Sequence, residues 1–352
     1  MDVTVTQLAL PASADEDSAD GATFRAAFEL TNRVRTLQYG TPAVALRFDE
    51  ALGLYRGDAS TQTVNLVAHA DGRLVGRAGW WLPQLESLTM IEGGWVVEPE
   101  LSDAEHRAVA EAMMDAVERL SAEVARPWLL IYADGQPGSV VPTSGVGGVD
   151  PDLPDSAAVL GRGFTLQQIS RYQLADLTTL GDLDARLAAA ASAGYELVTW
   201  TGRVPAEQRA AFALLAGTMI GEVPTGGIEY EPQVWDEARL SEYESGLERA
   251  GRTLVGAIAL ASDGAPAGYT ELFAPGGELG RQGDTLVLPA HRGRGLGLWL
   301  KLANLAQARD AFPGLRYVMT DNAEENAWML AINERLGFRT VLRQGSWQRR
   351  PG

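Results

Sequence analysis

The stretch from Val287 to Gly297 contains the residues best suited to bind a charged group. Its second half alternates glycines with other residues and comprises Arg292, Gly293, Arg294, Gly295, Leu296 and Gly297. Glycine lets a ligand approach the backbone without meeting a Cβ, and it accepts conformations that point successive N–H groups into one concavity. This composition predicts a cradle for an anion such as a pyrophosphate. A basic surface turn is the simpler alternative.

Two predicted elements flank this stretch and would hold it in place. Residues 284–288 are rich in branched apolar side chains, which predicts a short buried strand. Apolar residues then recur at helical spacing from Leu298 to Ala306, so a helix is expected to begin near Gly295. The start of a helix carries unpaired N–H donors and a partial positive charge, and both favour a bound anion. His291 lies in the turn and is expected to shape it.

The spacing of the glycines argues against two common phosphate-binding motifs. Neither Gly-x-x-x-x-Gly-Lys-Ser/Thr nor Gly-x-Gly-x-x-Gly occurs at this turn. The pattern present is Arg-x-x-Gly-x-Gly, and it directly follows a strand that ends in Val-Leu-Pro.

The composition restricts the classes of function. The chain has 352 residues, enough for two domains, and its 46% hydrophobic and 21% charged residues are typical of a soluble globular protein. It has no cysteine and only three histidines, so we expect no disulfide and no metal site. The net charge of −17 argues against nucleic acid as a partner. No apolar run is long enough for a membrane span and no signal peptide is evident, so a cytoplasmic protein without a membrane partner is expected.

An internal repeat predicts two copies of one α/β unit. Three pairs of segments match in order: 71–72 with 263–264, 96–99 with 286–289, and 160–164 with 333–338. We therefore expect a first domain over residues 1–176, a linker helix over 177–194 and a second domain over 195–352. Two unrelated α/β halves are the alternative. A last helix is expected over 323–336, capped near Asp321 or Asn322.

The first copy lacks the features of the cradle. No glycine lies between Gly94 and Gly135, and acids occupy the matching segment at Glu98, Glu100, Asp103 and Glu105. Negative charge there would repel a pyrophosphate. We expect this half to be structural or to form one wall of a substrate cleft.

The motif, the hairpin before it and the segment Asn326–Phe338 after it closely resemble the GNAT family of N-acetyltransferases. The resemblance is strong over roughly residues 195–347 and weak over 23–175, and the whole chain looks like the tandem two-GNAT proteins common in actinobacteria. It implies an α/β (α+β) fold of two tandem GNAT-like domains. Each would have a mixed, mostly antiparallel central sheet flanked by helices.

The resemblance also implies how acetyl-CoA would bind as a co-substrate. The amides of residues 292–297 would hold the pyrophosphate, and the strand Leu286, Val287 and Leu288 would pair with the pantetheine arm. A splay in the sheet would admit the thioester, and a backbone N–H near Val287 or Leu288 would serve as the oxyanion donor. Asn326 would bind the pantetheine arm or the phosphate region, unless it only caps its helix.

Transfer to an amine requires a base, because only the neutral amine attacks a thioester. Glu271, in the middle of an apolar strand, and Asp284, at the start of the strand before the cradle, are the two candidates; either could instead be a solvated strand residue. Many family members carry a tyrosine that protonates the departing thiolate, and Asn333 stands in its place. Tyr317, Tyr269 or a water would then supply the proton, or the thiolate would leave unassisted.

The acceptor is expected to bind the loop over residues 220–236. Its acids and aromatic residues could hold a cationic amine, and the candidates are Glu222, Glu229, Tyr230 and Trp235. An exposed acidic loop is the alternative.

Two functions follow from these residues. The first is an acetyl-CoA-dependent N-acetyltransferase for a small amine, acting as a monomer or homodimer. The second is a non-catalytic acyl-CoA-binding or regulatory protein. An aminoacyl-transferase that uses charged tRNA is disfavoured by the net charge.

Overall fold

A computed structural model describes residues 1–13 and 16–350 of the chain. These residues form thirteen strands and nine α-helices. The strands are β1 Thr4–Gln7, β2 Thr61–Ala70, β3 Arg73–Pro83, β4 Met90–Val97, β5 Trp128–Gly135, β6 Pro137–Val140, β7 Thr165–Asp176, β8 Tyr195–Thr201, β9 Thr253–Ala261, β10 Pro266–Ala274, β11 Leu279–Val287, β12 Tyr317–Ala323 and β13 Arg339–Arg349. The helices are α1 Ala19–Tyr39, α2 Phe48–Arg56, α3 Asp103–Glu123, α4 Pro154–Gly161, α5 Leu183–Ala189, α6 Arg209–Glu222, α7 Glu237–Arg249, α8 Leu296–Ala311 and α9 Ala327–Arg335.

Twelve of the strands form one continuous, mostly antiparallel sheet. Their order is β1-β2-β3-β4-β5-β13-β7-β12-β11-β10-β9-β8. From each edge inward, five strands follow one another in chain order, β1–β5 on one side and β8–β12 on the other. In each series the last two strands pair in parallel, β4 with β5 and β11 with β12. The repeat and the tandem α/β fold predicted from the sequence are therefore present.

The two halves exchange their last strands. β7 belongs to the first half of the chain but pairs with β12 and β13, and β13 lies between β5 and β7. The two cores are mixed in the same way, since Trp347 of β13 packs in the core of the first half and Ala175 of β7 packs in that of the second. Each expected domain thus contributes a strand to its neighbour. The boundary near residue 176 divides the chain without dividing the sheet.

Helices cover both faces of the sheet in the second half. Leu272 of β10 packs with Leu302 and Leu305 of α8. Tyr269, on the opposite face of the same strand, packs against Phe212 of α6, with ring centroids 5.3 Å apart. Odd-numbered residues of β10 therefore face α6 and α7, and even-numbered residues face α8. In the part of the chain that the structure describes, no helix combines the length and apolar character needed to cross a bilayer.

The start of the last helix differs from the sequence prediction. A helix from residue 323, capped near Asp321 or Asn322, was the expectation, whereas α9 begins at Ala327 with Asn326 as its cap. The reason is that β12 continues to Ala323, where it still pairs with Ser170 of β7. The exchanged strand supplies backbone partners that the local sequence does not reveal.

Candidate functional site

The Gly-Arg turn joins β11 to α8 and leaves the start of the helix open. Gly293 and Gly295 have φ angles of 77° and 78°, in the left-handed region where glycine is favoured. The helix begins at Leu296, its cap residue Gly295 provides no side-chain hydrogen bond, and its first turn has no acidic residue. Its first N–H groups therefore remain available to an anion.

The three glycines of the turn have different surroundings. A Cβ on Gly293 or Gly295 would meet no atom within 4 Å, so both positions face open space. A Cβ on Gly297 would lie 3.0 Å from Ile332 and 3.9 Å from Val287. Gly297 thus lets α8 pack closely against α9, while the other two glycines shape the open cradle.

Side chains from two other elements fix the turn. Tyr195 of β8 accepts a hydrogen bond from Arg294 at 2.7 Å, and its hydroxyl lies 3.0 Å from Nδ1 of His291. Arg292 donates to the Val287 carbonyl at 3.0 Å and forms a 2.5 Å ion pair with Glu222. Because Arg294 contacts a neutral hydroxyl, its positive charge stays available beside the open helix end. His291 contacts the turn as the sequence suggested.

The sheet opens beside the cradle. Backbone pairing between β11 and β12 runs only from Leu279 with Tyr317 to Arg281 with Met319, although β11 continues to Val287. The Leu288 N–H donates to the Ala267 carbonyl at 2.9 Å and is not available. Since N–H groups alternate in direction along a strand, the Val287 N–H points into the gap instead. Of the two oxyanion donors expected, this geometry leaves Val287.

The two candidate acids lie opposite each other at a β-bulge. Thr270 pairs with Thr285 and Leu272 with Gln282, so Gly283 and Asp284 both lie opposite Glu271. Tyr243 of α7 donates to Glu271 at 2.9 Å, and Tyr269 donates to Asp284 at 3.0 Å. Both carboxyls lie on the face of β10 and β11 that α6 and α7 cover.

Their surroundings make both acids weaker. Burial and, secondly, the nearby Asp284 raise the pKa of Glu271 to about 8, although the Tyr243 hydrogen bond opposes the shift. Burial also raises the pKa of Asp284, which the Tyr269 hydrogen bond partly offsets. Glu271 is only 7% exposed, whereas Asp284 is accessible to solvent although protein surrounds it on most sides. A raised pKa makes each carboxylate a better proton acceptor, as a general base requires.

A buried polar cluster lies on the α8 side of the gap, and sequence reasoning missed its central residue. Lys301 is 1% exposed and donates to Asn333 at 2.7 Å, and burial lowers its pKa to about 7. Asn333 in turn donates to Gln173 of β7 and Asn322 of β12. The available signal was that Lys301 is the only lysine in the chain. Nearby, Oε1 of Gln282 is buried without a hydrogen-bond partner among the described residues.

Several other predicted residues have clear structural roles. Asn326 caps α9, because its side chain accepts a hydrogen bond from the Met329 N–H at 3.2 Å. Tyr317 lies at the closed end of the gap, where β11 and β12 still pair, with Arg316 over its ring. Of the two candidate proton donors, Tyr269 is the one that lies beside the acids.

The four predicted acceptor residues do not converge on one site. Glu222 pairs with Arg292 of the turn, and the exposed Glu229 pairs with Arg350. Trp235 packs on Tyr243 with ring centroids 5.4 Å apart. Tyr230 instead crosses to the first half, where its hydroxyl lies 3.5 Å from that of Tyr132. The loop carries these side chains in different directions, which its sequence could not show.

The corresponding helix end in the first half is filled by the protein itself. The side chain of Glu105 accepts hydrogen bonds from the backbone N–H and the hydroxyl of Ser102 at the start of α3. Glu98 is 5% exposed and pairs with Arg33 at 2.7 Å and with Arg73 at 3.6 Å. Two acidic side chains thus lie at the position that the glycine turn occupies in the second half, and one of them satisfies the Ser102 N–H.

A cleft of about 830 Å³ lies over the centre of the sheet, between the halves. Its walls include α1 and α2 of the first half, the segment of Tyr230, and the exchanged strands β7 and β13. Phe273 and Arg281 line it from the same face that carries Glu271 and Asp284. Among the described residues, no group of three or more His, Asp or Glu side chains could hold a metal ion.

Comparisons with known proteins agree with this geometry. Residues 225–338 match the Acetyltransferase (GNAT) family. A tandem GNAT protein from the clavulanic acid biosynthesis pathway has a TM-score of 0.70 and 25% identity, over 100% of this chain and 99% of that chain. A GCN5-related N-acetyltransferase from Sphaerobacter thermophilus has a TM-score of 0.63 and 13% identity, over 99% and 96% of the two chains, and shows the fold alone. No curated protein matches the sequence.

The class of protein follows from three features. Two parallel strands of the sheet separate, an open helix end lies beside the gap, and acidic side chains replace the glycine turn at the equivalent position of the first half. Together they define a tandem α/β protein of the acyltransferase type. Residues 225–338 match the model of the GNAT family, and the whole chain has the architecture of a tandem GNAT protein. The family and fold class predicted from the sequence are thus confirmed, and the match supports acyl transfer in general.

Proposed function

We propose that the protein is an acetyl-CoA-dependent N-acetyltransferase whose second half acetylates the amine of a small molecule. One observation carries the proposal. The uncapped end of α8 opens beside the gap between β11 and β12, and the Glu271–Asp284 pair lies close to the same gap. An anion site, an entry for an extended chain and a pair of weak acids thus lie next to one another.

The residues present fit acetyl-CoA. Within the predicted segment 292–297, the N–H groups from Gly293 onward and the charge of Arg294 would hold the pyrophosphate, because the Arg292 N–H already donates to the Pro289 carbonyl. The open edge of Leu286, Val287 and Leu288 would hold the pantetheine arm. The unpartnered Oε1 of Gln282 adds a hydrogen-bond acceptor on the same side of the sheet as α8. Asn326 would act here as a helix cap, because its side chain is already bound to the backbone.

Acetyl-CoA supplies, when bound, the activated thioester that the amine attacks. The Val287 N–H points into the gap and can stabilise negative charge on the carbonyl oxygen. Glu271 or Asp284 accepts the proton that the amine must lose, and the hydroxyls of Tyr243 and Tyr269 orient the two carboxylates. Asn333 provides no acidic proton, because an amide is not an acid near neutral pH. Its side chain is instead bonded to Lys301, Gln173 and Asn322.

A second candidate function is a non-catalytic acyl-CoA-binding protein. The structural role of Asn333 favours it, because no acidic side chain stands in that place. Both functions require the coenzyme to bind at α8, so binding alone does not separate them.

Two measurements on the full chain test the proposal. Calorimetry should show one acetyl-CoA site, and a thiol assay should show release of free CoA with some members of a panel of primary amines. Binding without CoA release for every amine would favour the second candidate. Failure to bind acetyl-CoA would contradict both.

A further inference from the structure

The central cleft carries more positive charge than its surroundings lead one to expect. Five arginines and four acids line it, in a chain that has 29 basic and 46 acidic residues. Two of the acids are already paired, Glu50 with Arg252 at 2.7 Å and Asp321 with Arg281 at 2.6 Å. The cleft is therefore a local basic region within an acidic protein.

Arg35 of α1 is the clearest unpaired charge in this cleft. Its Nε donates to the Val44 carbonyl at 2.9 Å, and within residues 1–13 and 16–350 it forms no ion pair. Burial lowers the pKa of its guanidinium and the nearby Arg281 adds to this shift, while Tyr39 and Glu50 oppose it. The guanidinium is thus largely buried without a carboxylate bonded to it. Its two terminal nitrogens remain free to bind one.

A tyrosine hydroxyl lies beside this charge. The Arg35 guanidinium is 5.7 Å from the ring centroid of Tyr39, which is 6% exposed and lines the cleft. The Tyr39 hydroxyl donates to no other group of the described residues. Arg281 also lines the cleft, and it acts electrostatically on this hydroxyl, as do Arg35, Asp134 and Asp321. Arg35, Arg281 and Tyr39 together offer N–H and O–H donors to one part of the cleft.

We propose that the acceptor amine also carries a carboxylate or phosphate, and that this group binds between Arg35, Tyr39 and Arg281. This inference rests on the proposed acetyltransferase function and specifies its substrate class. Arg281 and Asp284 are three positions apart on β11, so their backbone positions are about 10 Å apart along the strand. The acceptor is therefore a small molecule whose amine and anionic group are separated by several bonds.

The first half of the chain gains a role from this arrangement. It provides Arg35 and Tyr39, while the second half provides the coenzyme cradle and the acids. A first half without a cradle of its own would still select the substrate. The position of the cleft between the halves is consistent with this division.

Matched pairs of amines test the proposal. Lysine is compared with cadaverine, which lacks the carboxylate, and glucosamine 6-phosphate with glucosamine. Turnover is measured as CoA release, and binding is measured by calorimetry in the presence of CoA. The wild-type protein should favour the anionic member of at least one pair, and which pair responds distinguishes a carboxylate from a phosphate.

The variant Arg35→Gln should remove this preference. It should weaken binding of the favoured anionic amine at least about tenfold and leave the partner without the anionic group unchanged, since a charged hydrogen bond is lost. Arg107→Gln, on the exposed side of α3, removes the same charge and should change neither. The proposal fails if no anionic amine binds more tightly than its partner, or if Arg35→Gln weakens both equally. Acetyl-CoA binding to the same samples reports separately on the proposed function.

Discussion

Glu271 and Asp284 lie at one irregular position in the β10–β11 pairing. The bulge places Gly283 and Asp284 opposite Glu271, and a Cβ on Gly283 would lie 2.9 Å from both the Glu271 carboxylate and the Phe273 ring. Glycine at 283 thus leaves room for the Glu271 side chain to lie against β11. In regular pairing Asp284 would also lie opposite Glu271, so the bulge acts on the strand beyond it, where Arg281 instead of Gln282 lies opposite Phe273.

The pH dependence of turnover can identify the base. A carboxylate base acts when deprotonated, so kcat/KM should rise with pH through the raised pKa, near 8 if Glu271 is the base. Tyr243→Phe removes the hydrogen bond that lowers this pKa. The rising limb of the kcat/KM profile should then move to higher pH by roughly 0.5–1 unit, as expected for the loss of one hydrogen bond.

Tyr269→Phe is the matched control for that experiment. It removes the corresponding hydrogen bond to Asp284 and leaves the Tyr243–Glu271 contact in place. A shift in Tyr269→Phe without one in Tyr243→Phe would assign the base to Asp284. If neither variant moves the limb, neither carboxyl is the base.

The cradle can be tested by adding a side chain and a charge at Gly295. Gly295→Glu places a carboxylate where the pyrophosphate is expected and should weaken acetyl-CoA binding at least about 100-fold, from like-charge repulsion and a blocked approach. Gly264→Glu is the control, because Gly264 has a similar φ of 81° and open surroundings but lies in the β9–β10 turn. Calorimetry and thermal unfolding are compared for both variants. Equal affinities in the two variants would show that the coenzyme binds elsewhere.

Local sequence was sufficient to predict the backbone geometry of the glycine turn, and it was insufficient to predict where the side chains of the 220–236 loop lie. Glycines followed by a helix restrict the backbone over a few residues, so Gly293 and Gly295 could be assigned from the pattern. Glu222 and Tyr230 are close in sequence but bind opposite halves of the molecule. Their positions depend on long-range contacts that no short pattern encodes.

Helix α8 combines two environments along its length. Its first turn is open to solvent and anions, and one turn later Lys301 is enclosed by α9, β7 and β12 through Asn333 and its partners. A buried ammonium without a carboxylate partner is costly, so the folded protein binds this proton weakly. The element thus carries a pH-dependent contribution to stability.

Lys301→Met should remove that contribution. The pKa of Lys301 is lowered to about 7, so between about pH 7 and 10 the unfolded chain binds this proton and the folded chain does not. The contribution of Lys301 to the unfolding free energy therefore rises with pH in that window. Below pH 7 the buried ammonium destabilises the folded protein to its full extent. The unfolding free energy of wild type minus variant should increase across the window, on the order of a few kcal/mol.

The unique lysine also allows a direct measurement. Lysine labelled with ¹³C at Cε gives one side-chain signal, which should titrate with a midpoint near 7. A midpoint near 10, the value of a solvated lysine, would contradict the assignment. A stability difference between wild type and Lys301→Met that is constant with pH would contradict it independently.

At the scale of elements, the sequence predicted most helices and strands and failed where the halves exchange partners. The hairpins at residues 71–72 and 263–264 form as expected because an Asp-Gly turn and flanking apolar residues are local signals. The start of α9 was wrong because β12 extends by pairing with β7. Helix α2, over Phe48–Arg56, was not predicted at all.

The whole molecule behaves as one sheet, and this has a consequence for its unfolding. β13 comes from the end of the chain yet pairs with β5, and its Trp347 is fully buried in the core of the first half. A repeat in sequence predicts two units but cannot show which unit each last strand joins. We therefore expect one cooperative unfolding transition for both halves.

Trp347→Ala tests this coupling. Removing a fully buried indole should destabilise the protein by about 3–5 kcal/mol. Trp328→Ala, at a position 87% exposed, is the control and should change stability by less than about 0.5 kcal/mol. Hydrogen exchange in the Trp347→Ala variant should rise in β5 of the first half, since Trp347 pairs there with Ile131. If exchange instead rises only within residues 195–350, or if unfolding occurs in two separate transitions, the exchanged strands do not couple the two halves.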